Sequence, residues 1–161
     1  DERGYFFESF KKETFEKFMG CAINFSQDNE AKSTKGVLRG LHYQLPPFAQ
    51  SKLVRVVKGK VLDIVVDIRK ESATYGQHFS IELNEENKTI CWIPPGFAHG
   101  FITLEDDTIF TYKCTGVYNS ASEEALLWSD KDLNIDWGAI EPLVSDKDLV
   151  AGSFKNFKSQ F

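Results

Sequence analysis

The sequence predicts an all-β fold, a sandwich or barrel of the jelly-roll kind, with a few short helices. From residue 36 onward, short alternating runs of apolar and polar residues are separated by Gly, Pro, Asn and Asp. This rhythm is typical of many short strands. Only residues 10–20 have helical spacing, and no repeat or linker divides the chain. We therefore expect a single domain over residues 1–161.

Composition narrows the classes of function. The net charge of −5 argues against a general nucleic-acid surface, although local cations could still bind a phosphate. No apolar run approaches the roughly 20 residues of a membrane helix. The three cysteines form no CxxC pair. An odd number without that spacing favours reduced thiols and a cytoplasmic location.

The N-terminal third predicts a helix and one strand. Phe15, Phe18 and Met19 recur at helical spacing, with Ser9 as the expected N-cap and Gly20 as the expected stop. Residues 22–29 read as a strand and residues 30–35 as a solvated loop.

The remainder predicts strands almost throughout. Lys58-Gly59 indicates a hairpin between strands at 52–57 and 61–68, whose sheet edges need covering. In the second of these, Asp63 and Asp67 are expected on the face opposite Leu62, Ile64 and Val66. Further strands are predicted at 79–83, 89–93, 98–104, 108–118 and 125–128.

The richest stretch is residues 36–44, GVLRGLHYQ. Its histidine suits proton transfer near neutral pH, and its arginine can hold an anion through a charge-assisted fork. Strict alternation in a strand would put Arg39 and His42 on opposite faces. A half-buried strand with a structural histidine fits this stretch alone equally well.

A second histidine lies in the run IPPGFAHG, where Pro-X-Gly-X-X-His resembles the second motif of cupins. Many cupins bind a metal through two histidines and a glutamate of the first motif and the histidine of the second. Here Gln44 stands where a second histidine would, and an amide is a poor transition-metal ligand. His78 beside a turn reads as a surface residue. We therefore expect no metal and no other cofactor.

Taken in order, several stretches resemble the dTDP-4-dehydrorhamnose 3,5-epimerase family of metal-free cupin enzymes. The matching runs are DERGYFFESF, FSQDN, TKGVLRGLHYQLPP, KLVRVVKGKVLDIVVDIR, TYGQ, IPPGFAHGF, YKCTGVYNSASE and LWSD. The family usually carries roughly another strand before DERG, so we expect a missing N-terminal segment. The resemblance also implies a homodimer.

The resemblance assigns roles to individual residues. His42 corresponds to the general base, Asp148 to the carboxylate that orients it and Tyr112 to the general acid. Asp146 competes with Asp148 for the orienting role. Substrate contacts are expected from Arg3, Phe6, Glu8, Gln27, Asn29, Arg39, Lys52, His99, Glu123 and Lys147, and thymine stacking from Tyr118.

The chemistry suits these residue types. Carbons 3 and 5 of a 4-keto-sugar neighbour the ketone, so an imidazole can remove a proton and a tyrosine can return one. Lys52 or His99 could stabilise the enolate oxygen, and Arg3, Arg39 and Lys147 could bind the diphosphate. The expected substrate is dTDP-4-dehydro-6-deoxy-D-glucose and the expected product dTDP-4-dehydro-L-rhamnose.

Other interpretations stay open at this point. A related enzyme could epimerise only carbon 3 or carbon 5, a metal-dependent cupin could use the histidines as ligands, and a sugar-binding cupin could lack turnover. Single residues also have ordinary explanations. Tyr112 could be a half-buried sheet residue, Glu123 part of an acidic loop, and Asp148 the cap of a short helix.

Overall fold

Ten strands in two sheets make up most of the regular secondary structure, in a computed structural model that describes residues 1–161. The strands are β1 (Phe25–Ser33), β2 (Val37–Gln44), β3 (Lys52–Lys58), β4 (Lys60–Asp67), β5 (His78–Asn84), β6 (Ile90–Ile93), β7 (Phe97–Thr103), β8 (Thr108–Thr115), β9 (Glu123–Ala125) and β10 (Leu143–Val144). One sheet has the order β1-β8-β3-β6, and the other has the order β10-β2-β7-β4-β5 with β9 beside β2. The all-β prediction is confirmed.

Two apolar clusters hold the sheets in place. The first lies between the sheets, where Val54 and Phe110 of the four-stranded sheet meet Val61, Leu83 and Phe101 of the six-stranded one. The second covers the other face of the six-stranded sheet with residues from the C-terminal part of the chain. Its buried members are Leu38, Leu41, Tyr43, Ile64, Val66, Ile68, Ala98, Ile102, Leu126, Leu133 and Trp137.

The hairpin predicted at Lys58-Gly59 is wrong. Strand β3 pairs with β6 and β8, whereas β4 pairs with β5 and β7, so the chain crosses from one sheet to the other at Gly59. Gly59 has φ +77, and a Cβ there would lie 2.3 Å from the Thr108 hydroxyl. The crossing leaves β3 and β4 flanked on both sides, so the expected exposed edges at these strands are absent.

The N-terminal elements also differ from the prediction. Helix α1 (Lys12–Met19) begins after Lys11, with no side-chain cap, so Ser9 is not its N-cap. Gly20 ends the helix in the left-handed conformation, as predicted. Strand β1 runs through the predicted loop at 30–35 as far as Ser33, because each of these residues pairs with β8.

Later boundaries shift by a few residues. Strand β8 ends at Thr115 and not at 118, and β9 is Glu123–Ala125 where the sequence predicted 125–128. Two helical turns, Ser120–Ser122 and Phe154–Asn156, and the short helix α2 (Asp146–Leu149) complete the elements. None of the helices is both long and apolar enough to cross a membrane.

Strand β2 covers residues 37–44 of the GVLRGLHYQ stretch, but it is not regular. Its pairing with β7 shifts register between Arg39 and His42. Gly40 has φ +127, and a Cβ on it would lie 2.5 Å from the Gly100 Cα, so the two strands approach where neither has a side chain. The shift brings Arg39 and His42 to one cavity, and the opposite faces expected from strict alternation are not found.

Candidate active site

A cavity of about 400 Å³ opens between the two sheets. Residues of both sheets, of β9 and of α2 line it. Those predicted from the sequence as site residues are Arg39, His42, Lys52, His99, Tyr112, Glu123, Lys147 and Asp148. The remainder of the wall is Ala31, Val37, Leu38, Phe101, Phe110, Leu143 and Ser145.

His42 and Asp148 form an imidazole–carboxylate pair on one wall. His42 Nε2 lies 2.7 Å from Asp148 Oδ1. Asp148 is 3% exposed and His42 27% exposed, so the imidazole reaches the cavity and the carboxylate lies behind it. Asp146 is exposed and makes no such contact. Of the two competing aspartates, Asp148 is the one that contacts His42.

Helix α2 places this carboxylate. Ser145 is its N-cap, and the Ser145 hydroxyl accepts a hydrogen bond from the Asp148 amide at 3.3 Å. Asp148 therefore does not cap the helix, which leaves its carboxylate for His42 and for the amide of Gly40 at 3.4 Å.

Burial lowers the pKa of His42 below its ordinary value, and this outweighs the hydrogen bond and the charge of Asp148, which raise it. The imidazole is therefore neutral at neutral pH. A carboxylate at Nε2 favours the tautomer that carries its proton there. Nδ1, which makes no hydrogen bond within the protein, then presents a lone pair that can accept a proton.

Tyr112 reaches the same cavity from the other sheet. It lies on β8, paired with Asn29 of β1 and Val54 of β3. Burial raises its pKa, so the hydroxyl keeps its proton at neutral pH. His42 and Tyr112 thus place a proton acceptor and a proton donor on facing sheets.

Lys52 is a partly buried lysine that lines both cavities of the site. It begins β3, opposite Cys114 of β8, and its ammonium lies 6.0 Å from the centre of the Tyr112 ring. Burial lowers its pKa, while the nearby charge of Asp63 acts in the opposite direction. An ammonium group in the partly buried lining of the cavity is well suited to stabilise negative charge that develops in a bound substrate.

His99 is the cross-strand neighbour of His42, on β7. Its Nε2 lies 2.8 Å from Asp63 Oδ2, in a second imidazole–carboxylate pair. The pair is closed, with His99 7% and Asp63 1% exposed. Phe101 and Phe110 flank the His99 ring, and Phe110 stacks on it at 6.2 Å between ring centres.

A smaller cavity of about 100 Å³ shares His42, Lys52, Tyr112 and Glu123 with the first. It is also lined by three further predicted residues, Gln27, Asn29 and Tyr118. The joined cavities form a cleft with room for a ligand longer than a single sugar.

An ionic network lies at the edge of this cleft. Lys147 Nζ donates to Glu123 Oε2 at 2.6 Å, and the Tyr118 hydroxyl donates to the same oxygen at 3.0 Å. Burial opposes the charge on Glu123, but these two bonds outweigh it and lower its pKa. The hydrogen bond from Lys147 raises the pKa of that lysine in turn, so the pair is ionised at neutral pH.

Three predicted contacts are not brought to the cleft of their own chain. Arg3 pairs with Asp1, Phe6 is 98% exposed, and Glu8 is exposed. The N-terminal segment that carries them lies away from both cavities.

Sequence reasoning missed three contributors. Asp63 was placed on one face of its strand, but alternation alone does not show that this face is the interior between the sheets. Phe110 and Cys114 were not among the predicted site residues, yet they line the cavities. A carboxylate inside the apolar run VLDIVV is the sequence signal that could have found Asp63.

An acceptor and a donor on facing walls suit removal of a proton from one side of a carbon and its return from the other. Together with a jelly-roll frame, they define an isomerase of the cupin type, in the class of epimerases.

Comparisons with known proteins agree with that class and narrow it. Residues 1–156 match the family model described as dTDP-4-dehydrorhamnose 3,5-epimerase. The dTDP-4-dehydrorhamnose 3,5-epimerase of Shigella flexneri is 54% identical over 154 residues, which cover 96% of this chain and 85% of that protein. The chain therefore belongs to the dTDP-4-dehydrorhamnose 3,5-epimerase family.

Solved structures show the same fold. The dTDP-6-deoxy-D-glucose-3,5-epimerase of Legionella pneumophila Philadelphia 1, in complex with dTDP-4-keto-L-rhamnose, superposes with a TM-score of 0.92 at 46% identity, covering 98% of this chain and 84% of that one. ChmJ, a 3'-monoepimerase from Streptomyces bikiniensis in complex with dTDP-quinovose, gives 0.91 at 37% identity, covering 95% and 78%.

Proposed function

We propose that this protein epimerises carbons 3 and 5 of dTDP-4-dehydro-6-deoxy-D-glucose and so forms dTDP-4-dehydro-L-rhamnose. One observation carries the proposal: His42 and Tyr112 enter a single cavity from opposite sheets. Inversion at a carbon requires a base on one side and an acid on the other, and this arrangement supplies both.

The first step is proton removal by His42. Its Nδ1 accepts the proton from a carbon next to the ketone, and the electron pair of that C–H bond moves into an enolate. Asp148 holds the ring in the required tautomer and stabilises the imidazolium that forms. The enolate oxygen gains negative charge, which the Lys52 ammonium stabilises inside the buried wall.

The second step is proton return by Tyr112. Its hydroxyl donates to the opposite side of the same carbon, and the enolate becomes a ketone again. The phenolate and the imidazolium then exchange protons with solvent before the next cycle. The same pair serves carbon 3 and carbon 5, because both neighbour the one ketone.

The nucleotide end is assigned to the edge of the cleft. Lys147 and Arg39 provide cations for the diphosphate, while Tyr118, 48% exposed, offers a ring for the thymine. Glu123 holds Lys147 and Tyr118 before the substrate arrives. Gln27 and Asn29, bonded to each other at 2.8 Å, add amide groups for polar contacts.

We also propose a homodimer. Arg3, Phe6 and Glu8 are expected substrate contacts, yet they lie exposed and away from their own cleft. A second copy of the chain would let this segment reach the partner's cleft. Light scattering at micromolar concentration should give the mass of two chains, and a monomer would contradict the proposal.

We also propose a cytoplasmic location. The three cysteines are free, as is usual in a reducing compartment.

Turnover in deuterated water tests the reaction. Each inverted carbon receives its new proton from solvent-exchanged groups, so the product should carry deuterium at carbon 3 and at carbon 5 by NMR. Label at one carbon alone would identify an enzyme that epimerises a single centre. No label and no product would leave a binding protein without turnover.

A further inference from the structure

Asp63 is buried between the sheets and makes a single hydrogen bond, to His99. It projects from β4 into the space between Val61 and Val65, both of which pack in the apolar cluster there. Its second oxygen, Oδ1, is buried with no hydrogen-bond partner. An unsatisfied buried carboxylate oxygen costs stability, so the fold alone gives no reason for an aspartate here.

The register of the sheet explains how Asp63 reaches His99. Asp63 is opposite Phe101 on β7. His99 lies two residues before Phe101 on the same strand and therefore on the same face. Such diagonal neighbours are within reach of each other across a pair of strands. His99 lines the cavity, whereas Asp63 lies behind it and does not.

The hydrogen bond fixes which nitrogen of His99 carries the proton. A carboxylate can only accept at Nε2, so the neutral ring holds its proton there and leaves a lone pair on Nδ1. Nδ1 makes no hydrogen bond within the protein, although the ring lines the cavity. A lone pair presented to a bound sugar accepts a hydrogen bond from a hydroxyl and cannot donate one to an enolate oxygen.

We propose that Asp63 is a positioning residue that holds His99 as an acceptor for a sugar hydroxyl of the substrate. Of the two groups expected from the sequence to stabilise the enolate, this assigns the task to Lys52. The inference rests on the proposed function, because it takes the ligand of the cavity to be a 4-keto-sugar.

Two matched substitutions on one strand test the inference. Asp63→Asn keeps the shape but lets the amide donate to Nε2, so the ring can take the other tautomer. We expect kcat/KM to fall about 10–100-fold, the range typical when the carboxylate behind a metal-bound histidine is replaced. The melting temperature should change by less than about 4 °C.

Asp67→Asn is the control, since Asp67 is equally buried on β4 but bonds Arg69, Ser72 and Thr74 outside the cavity. It should give the reverse result, a lower melting temperature with wild-type kcat/KM.

A double-mutant cycle shows whether Asp63 acts through His99. In a His99→Asn background, Asp63→Asn should cost less than about twofold, because its effect is already lost. If the fold-losses in kcat/KM of the two single variants simply multiply in the double variant, the inference is overturned. A wild-type kcat/KM in Asp63→Asn alone would also overturn it. Either result leaves the epimerase reaction of the wild-type protein intact, so the two proposals fail separately.

The tautomer is also measurable in the unmodified protein. Nitrogen-15 NMR should find the His99 proton on Nε2 with Nδ1 bare, and Asp63→Asn should shift population to the Nδ1–H form. A wild-type ring with its proton on Nδ1 and Nε2 bare would contradict the proposal even if the variants fail to fold.

Discussion

His42 and His99 are cross-strand neighbours, and each is bonded through Nε2 to an aspartate, yet their surroundings differ. The His42–Asp148 pair joins β2 to the short helix α2, and its imidazole is 27% exposed. The His99–Asp63 pair lies within the six-stranded sheet, and its imidazole is 7% exposed and stacked on Phe110.

The difference in exposure is the reason why we propose different tasks for the two pairs. Both aspartates fix the same tautomer, and both rings offer Nδ1 to the cavity. His42 has room to take up a proton, because solvent and the cleft can accommodate the resulting charge. His99 is enclosed by Phe101 and Phe110, so its ring can reach a bound ligand only across the part that lines the cavity.

The largest effect should come from breaking the first pair. Asp148→Asn removes the carboxylate that sets the His42 tautomer, and kcat should fall about 10²–10⁴-fold. Catalysis needs neutral His42, so wild-type activity is lost as pH falls through its pKa, below about 6.5. Asp148 raises that pKa, so the acid limb of kcat/KM should move to lower pH in the variant.

Asp146→Asn is the matched control for this change. Asp146 belongs to the same helix but is exposed and does not contact His42. Its rate and pH profile should equal those of the wild type. An acid limb that stays in place in Asp148→Asn, or a large loss in Asp146→Asn, would assign the orienting role to another group.

Breaking the second pair should have a smaller effect. A hydroxyl acceptor contributes to binding and alignment, whereas the base carries the chemistry, so Asp63→Asn should retain more activity than Asp148→Asn. Steady-state kinetics of the two variants under one set of conditions gives the order. The comparison fails if Asp63→Asn is the more damaging of the two.

The smallest expected effect is that of metal removal. His42 and His99 are each bonded to a carboxylate, and the Gln44 side-chain oxygen accepts a hydrogen bond from the Asn119 backbone amide at 3.0 Å. The proposed proton transfers also involve no redox step. Activity should therefore survive exhaustive chelation unchanged, and a loss restored by zinc or iron would favour a metal-dependent enzyme.

The local sequence pattern predicted the bounds of strands and helices better than it predicted which strands pair with each other. The bounds of β2 follow from its residues, and Gly20 ends α1 as expected. The crossing at Gly59 looks like a hairpin in sequence, because turn residues do not specify which sheet the next strand joins. The register shift after Arg39 was also hidden, since it depends on close approach to Gly100 of β7.

The site shows the same limit. His42 and Asp148 are 106 residues apart and meet only through the fold, so family resemblance supplied that pair. No motif marked Asp63, because its importance depends on which face of β4 points between the sheets. Arg3, Phe6 and Glu8 lie away from the cleft of their own chain, and the contact role proposed for them requires a second copy of the chain.

The most direct measurement compares His42→Ala and Tyr112→Phe by hydrogen exchange at carbon 5 of the substrate in deuterated water. His78→Ala and Tyr75→Phe, outside the cleft, are the controls. If His42 is the base, His42→Ala should lose both exchange and turnover, each by about 10²–10⁴-fold. Tyr112→Phe should lose inverted product but keep exchange on the His42 side. Exchange at the wild-type rate in His42→Ala would show that another group removes the proton, and would contradict the account.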